Sequence, residues 1–110
     1  MVRDYEPYIQ RGLKKARQSP AHVKVACILI DRRGHIVAIG YNHFGNGRGL
    51  MGRHMIHAER DALDRVRKPS PELTMVLVRR HRKLITPCDS CMKLINAYQI
   101  KTIIHTAGKL

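Results

Sequence analysis

The chain contains no tryptophan, a single phenylalanine and only 8 acidic residues among its 110. With aromatic residues at 5%, the core has to be built from Val, Ile, Leu and Met, and 44% apolar residues suffice for one. Cysteine is scarce too. The three present, Cys27, Cys88 and Cys91, are too few and too unevenly spaced for a disulfide framework. Two of them form C-x-x-C, which points to a reducing compartment and to metal or redox chemistry. No stretch approaches the ~18 apolar residues of a membrane span, and residues 1–12 hold no apolar leader segment. We therefore expect a soluble, cytoplasmic protein with no membrane partner. Repeats, low-complexity tracts and linker-like segments are also missing, so residues 1–110 are expected to form one domain.

What the chain has in abundance is positive charge. Its 21 Lys and Arg against 8 Asp and Glu leave a formal +13. Such an excess attracts polyanions, because binding phosphates releases counterions and the summed field speeds encounter. A nucleotide or a single-stranded nucleic acid is the expected partner; plain solubility is the competing explanation. The densest run is Arg79-Arg80-His81-Arg82-Lys83.

Hydrophobic periodicity divides the rest. Residues 5–18 carry Tyr8, Ile9, Leu13 and Ala16 at helical spacing, with Ser19-Pro20 as a stop. Residues 23–30 and 36–41 read as strands joined by the turn Asp31-Arg32-Arg33-Gly34, an antiparallel hairpin. A long glycine-rich loop follows over 42–55. Residues 57–66 are helical, 73–78 a buried strand, 88–98 helical and 101–105 a final strand. The order α-β-β-α-β-α-β contains two strand–helix–strand units. It implies an α/β fold with a mixed sheet, a β1-β2 antiparallel hairpin and later strands parallel.

The chemistry-bearing residues sit where two of these helices begin. His57-Ala58-Glu59 opens one, and Pro87-Cys88-Asp89-Ser90-Cys91 opens the next. In such a fold both helix starts reach the same end of the sheet. A helix N-terminus favours thiolates, and zinc takes Cys and His ligands in a tetrahedron that leaves one place for water when the site is catalytic. A C-x-x-C alone is as often a redox pair, and a lone His more often a structural residue. Together they match the H-x-E…P-C-x-x-C pattern of zinc deaminases.

The sequence resembles the cytidine and deoxycytidylate deaminase superfamily from residue 23 to 104. Gly40-Tyr41-Asn42, His57-Ala58-Glu59-Arg60, Pro87-Cys88-Asp89-Ser90-Cys91 and the segment 94–104 carry the likeness. The helix and strand after Cys91 are similar to the deoxycytidylate and tRNA-adenosine branch, whereas Arg60 is similar to the free-nucleoside enzymes, so the branch stays open. The resemblance implies a three-layer α-β-α cytidine-deaminase-like fold and hydrolysis of the cytosine amino group. In it, His57, Cys88 and Cys91 bind Zn²⁺, and Glu59 moves protons between water, ring N3 and the leaving ammonia. By the same resemblance Asn42 bonds the substrate sugar and the Ala58 backbone N–H reads the base. A turn role for Asn42 is equally open.

Two departures add expectations. The chain stops after the fourth strand, lacking the fifth usual in the superfamily, and an uncovered sheet edge then calls for a homo-oligomer. The 79–83 run is longer than usual, and with Arg48 and Arg53 it makes Arg80 and Arg82 candidates for phosphate contact. The substrate is expected to be a cytosine nucleotide such as dCMP, or cytosine in a single strand. A catalytically inactive zinc-stabilised nucleic-acid-binding module and an adenosine deaminase acting on RNA are the alternatives.

Overall fold

In a computed structural model of the chain, residues 4–44, 55–66, 72–80, 89–100, 102–105 and 108–109 are described. Helix α1 (Glu6–Ala16) precedes strands β1 (Val25–Ile30) and β2 (Ile36–Tyr41). Two-residue strands β3 (His43–Phe44) and β4 (Met55–Ile56) lead into α2 (Ala58–Asp64). The chain continues through β5 (Thr74–Arg79), α3 (Asp89–Ala97), β6 (Thr102–His105) and β7 (Gly108–Lys109). The main sheet runs β2-β1-β5-β6-β7, and β3-β4 form a separate ribbon.

Strand β1 is antiparallel to both β2 and β5, and β5 is parallel to β6. Strands β2, β5 and β6 therefore share one direction, as the two strand–helix–strand units predicted. The first crossover passes over β1, which the sequence order alone did not reveal. A further difference is the short β7, which turns back antiparallel on β6 through Ile104↔Lys109 and His105↔Gly108. The sheet thus has a short fifth strand where the sequence reading placed none.

The apolar runs of β1 and β5 are continuous because both sheet faces are covered. Val25, Cys27 and Leu29, with Met75 and Leu77, face α2 and α3 and join Ala58, Ala62, Leu63 and Ile95. Ile28, Ile30, Val76 and Val78 face the other way and pack with Ile9 and Ile104 beneath α1. The architecture is the expected three-layer α-β-α sandwich.

Close backbone approaches set both layers. A Cβ at Gly12 of α1 would lie 2.4 Å from Val78 Cγ2. One at Gly40 of β2 would lie 2.3 Å from Ala62 N and 2.8 Å from Ala58 O. Glycine at position 40 thus lets the start of α2 rest directly on the sheet, and the site hangs from that helix. Strand β1 begins at Val25 rather than residue 23, where Val23 is 40% exposed. Among the described residues no helix is long and apolar enough to cross a membrane.

Candidate active site

Of the four chemistry-bearing residues of the H-x-E and C-x-x-C motifs, His57, Glu59 and Cys91 fall among the described residues, and they meet. His57 is the N-cap of α2, in extended conformation (φ −71°, ψ 153°), and its ring makes no capping bond. Its Nδ1 instead lies 3.3 Å from Cys91 Sγ in the first turn of α3. A residue that starts a helix is usually Ser, Thr, Asp or Asn, whose side chain bonds the helix's own N–H groups. Here the ring is turned across to the neighbouring helix.

Glu59, two residues on, is 4% exposed. Burial pushes its carboxyl above the ordinary 4.5. Its own backbone N–H, the His57 ring and a hydrogen bond with the Cys91 side chain pull the other way. A carboxyl kept out of water with a raised pKa suits proton transfer near neutral pH. Beneath them, the fully buried Cys27 thiol of β1 is pushed well up, first by burial and then by Glu59 and Cys91. It is held neutral and packs in the core.

Asp61, which sequence reasoning missed, organises the adjoining rim. It is 9% exposed and lies one turn beyond His57 on α2. Its Oδ2 accepts the Tyr41 N–H at 3.0 Å, while Oδ1 lies 3.2 Å from His43 Nε2 and 3.6 Å from an Arg65 guanidinium nitrogen. The carboxylate thereby ties the end of β2 and the start of β3 to α2. The available signal was an acid beside the stripe of Ala58, Ala62 and Val66 that faces the core.

Asn42 is also buried, at 7% exposure. Its Oδ1 accepts the Val25 N–H at 2.9 Å and its Nδ2 donates to Val23 O at 2.6 Å. The amide clamps the entrance of β1 with both ends. Its backbone N–H bonds Val25 O as well, at 3.1 Å.

The sequence family described as "Cytidine and deoxycytidylate deaminase zinc-binding region" matches residues 3–107. The chain belongs to this family. No curated protein sequence matches it. Among solved structures, the dCMP deaminase of cyanophage S-TIM5 in complex with dCMP and dUMP is similar, at 19% identity, TM-score 0.70, and coverage of 94% of this chain and 82% of that one. Cytidine deaminase from Mycobacterium leprae superposes with TM-score 0.73 at 15% identity, covering 99% and 93% of the two chains. Cytidine deaminase from Burkholderia pseudomallei gives 0.64 at 21% identity, covering 84% and 75%. At these identities the likeness establishes the fold.

The deaminase family's name calls for zinc, and the two described donors, His57 and Cys91, fit it. With Zn–N near 2.05 Å and Zn–S near 2.3 Å, two ligands of one tetrahedral ion stand about 3.6 Å apart. The 3.3 Å between His57 Nδ1 and Cys91 Sγ is close to that edge. Among the described residues no three His, Cys, Asp or Glu side chains are grouped as a metal site, and Cys88 lies outside them. Of the other predicted contacts, Ala58 is buried in the first turn of α2. Arg80 is exposed just after β5, with its N–H bonded to Lys24 O at 3.0 Å. Arg48, Arg53 and Arg82 lie outside the described residues.

Proposed function

We propose that this deaminase hydrolyses the amino group of cytosine in a nucleotide such as dCMP, giving uracil and ammonia. The observation that carries the reading is the meeting of His57 Nδ1 and Cys91 Sγ at 3.3 Å beside the buried Glu59. His57, Cys91 and Cys88 would hold Zn²⁺. When bound, the ion supplies a water whose pKa falls toward ~7.

The work of the chain's own residues is positioning and proton transfer. Glu59, desolvated on the first turn of α2, takes a proton from the incoming water and returns one to ring N3. It then assists the departure of ammonia from C4. The Ala58 N–H, at the same helix start, would read the base. Asn42 positions the mouth of the site by fastening β1 to the end of β2, since its amide is committed to the Val23 and Val25 backbones. The dCMP bound by the phage enzyme supports a nucleotide substrate.

Zinc-loaded protein should release ammonia from dCMP, and Glu59→Gln should lose about 10²–10⁴-fold of the rate, the usual span for a general acid–base group. Retained rate in that variant would remove Glu59 from the chemistry. A protein that binds zinc and nucleic acid yet turns over no cytosine substrate would be the inactive module. We also propose a homo-oligomer: β2 is an edge strand and its Val37 is 42% exposed. A monomeric mass by light scattering at micromolar concentration would count against it.

A further inference from the structure

Among the described residues, charge is unevenly placed along the sheet. One end of the sheet holds the start of β1 and the ends of β2 and β5, where Val25 pairs with Arg79 and Ala26 with Tyr41. Helices α2 and α3 start from this end. Helix α1 runs toward it on the opposite face: Tyr8 Oη donates to Gly34 O at 2.7 Å in the far turn, while Lys15 Nζ sits 5.3 Å over the Tyr41 ring at the near end.

Four of the eight acidic residues lie away from this end. Asp4 and Glu6 lie at the far end of α1, Asp31 in the far turn and Glu72 just before β5. There they offset the local cations, as Arg32 does with Glu72 at 3.4 Å. On α2, Asp64 pairs with Arg60 and Asp61 with Arg65, both at 3.6 Å. At the site end Glu59 and Asp61 are buried. The remaining acid, Asp89, opens α3.

From the middle of α1 toward the site end, several exposed cations have no ion-pair partner among the described residues. Arg11, Lys14 and Arg17 are exposed along α1 and Arg80 follows β5, and none makes an ion pair among the described residues. Rings gather where β2 passes into β3. Tyr41 and His43 are in contact, with centroids 5.5 Å apart, and Phe44 is 39% exposed.

We infer that this end of the molecule binds single-stranded nucleic acid, with the backbone phosphates on Arg11, Lys14, Arg17 and Arg80 and the bases on the Tyr41-His43-Phe44 edge. Cations tracking a backbone beside rings that accept a base face are the two parts of a single-strand site. Four cations spread over α1 and β5 exceed what one monophosphate engages. A single strand also presents C4 of cytosine without the unpairing a duplex requires. The inference rests on the proposed deamination for what the strand delivers, but its binding stands on charge and rings alone.

The test is fluorescence anisotropy of the full zinc-loaded chain with a labelled cytosine-containing oligonucleotide, as DNA and as RNA, over a salt series. Binding is expected with a log–log salt slope of about −2 or steeper, which is three or more phosphates at about 0.7 each. Lys14→Glu with Arg17→Glu should weaken it at least about tenfold, consistent with loss of phosphate contacts. The far-end pair Arg32→Glu with Arg33→Glu, which changes net charge equally, should weaken it no more than about threefold. Thermal midpoints of both pairs are read alongside. Equal losses from the two pairs, or no salt-dependent binding, overturn the inference. Turnover of free dCMP without strand binding would overturn it and leave the proposed reaction standing; strand binding without any cytosine turnover would do the reverse.

Discussion

Asn42 is a buried polar residue whose backbone partners only the fold makes explicit. The sequence offers either a sugar contact or a turn residue. The fold gives its amide two backbone partners, Val25 N–H and Val23 O, in a position 7% exposed. Asn42→Ala strands both of those groups, and a buried unpaired polar group costs about 1–3 kcal/mol. Thermal or urea unfolding should therefore show that loss before substrate is added. A variant of unchanged stability with only a raised KM would return Asn42 to the sugar. Asp61 was not legible as a site residue, because no motif contains it. Its partners Tyr41 and His43 are distant in sequence and meet it only once α2 lies on β2. Cys27 carries a different expectation: fully buried with a raised pKa, it should resist thiol reagents in the native chain and react on unfolding.

Among the elements, the longer strands and the helices were legible because each carries an apolar run or a helical period. The continuous apolar runs of 25–30 and 75–78 follow from burial on both sheet faces, and the alternation within them separates the two cores. What was not legible are β3 and β4, which fall within the segment read as a loop, and β7, each two residues whose pairing is decided by a neighbour rather than by any pattern of their own. The antiparallel insertion of β1 between β2 and β5 was hidden for the same reason. Gly40 is the element-level constraint on the site. Gly40→Ala would push α2 from the sheet, since its Cβ meets Ala62 N at 2.3 Å. We expect about 1–3 kcal/mol of lost stability and weaker zinc binding, measured by unfolding and chelator competition. At the opposite end, Asp31 fastens the β1–β2 turn. The His35 N–H foremost, then that of Arg33, holds its carboxyl below the ordinary 3.8. A depressed carboxyl stabilises the fold above that value and loses its contribution as pH falls through the folded pKa. Wild type and Asp31→Asn should thus differ in thermal midpoint at pH 6 and converge toward pH 2; a constant difference would assign the effect to shape.

For the whole molecule, the +13 charge was read from composition, whereas the placement of the described charges along the sheet needed the fold. The direction of α1, fixed by Tyr8 at one end and Lys15 at the other, carries its own cations toward the site end of the sheet and leaves Asp4 and Glu6 at the other. Family membership and the α-β-α architecture were both contained in two short motifs and the order of elements, because the chemistry requires two helix starts at one end of a sheet. His57 and Cys91, 34 residues apart, meet there. The most direct test of the account is ammonia release from dCMP by the zinc-loaded chain, with Glu59→Gln beside it and zinc measured in both. The account expects turnover in the wild type and about a 10²–10⁴-fold loss in the variant at equal zinc content. No turnover by a zinc-replete wild type on dCMP or on a cytosine-containing strand, or equal rates in both proteins, would contradict it.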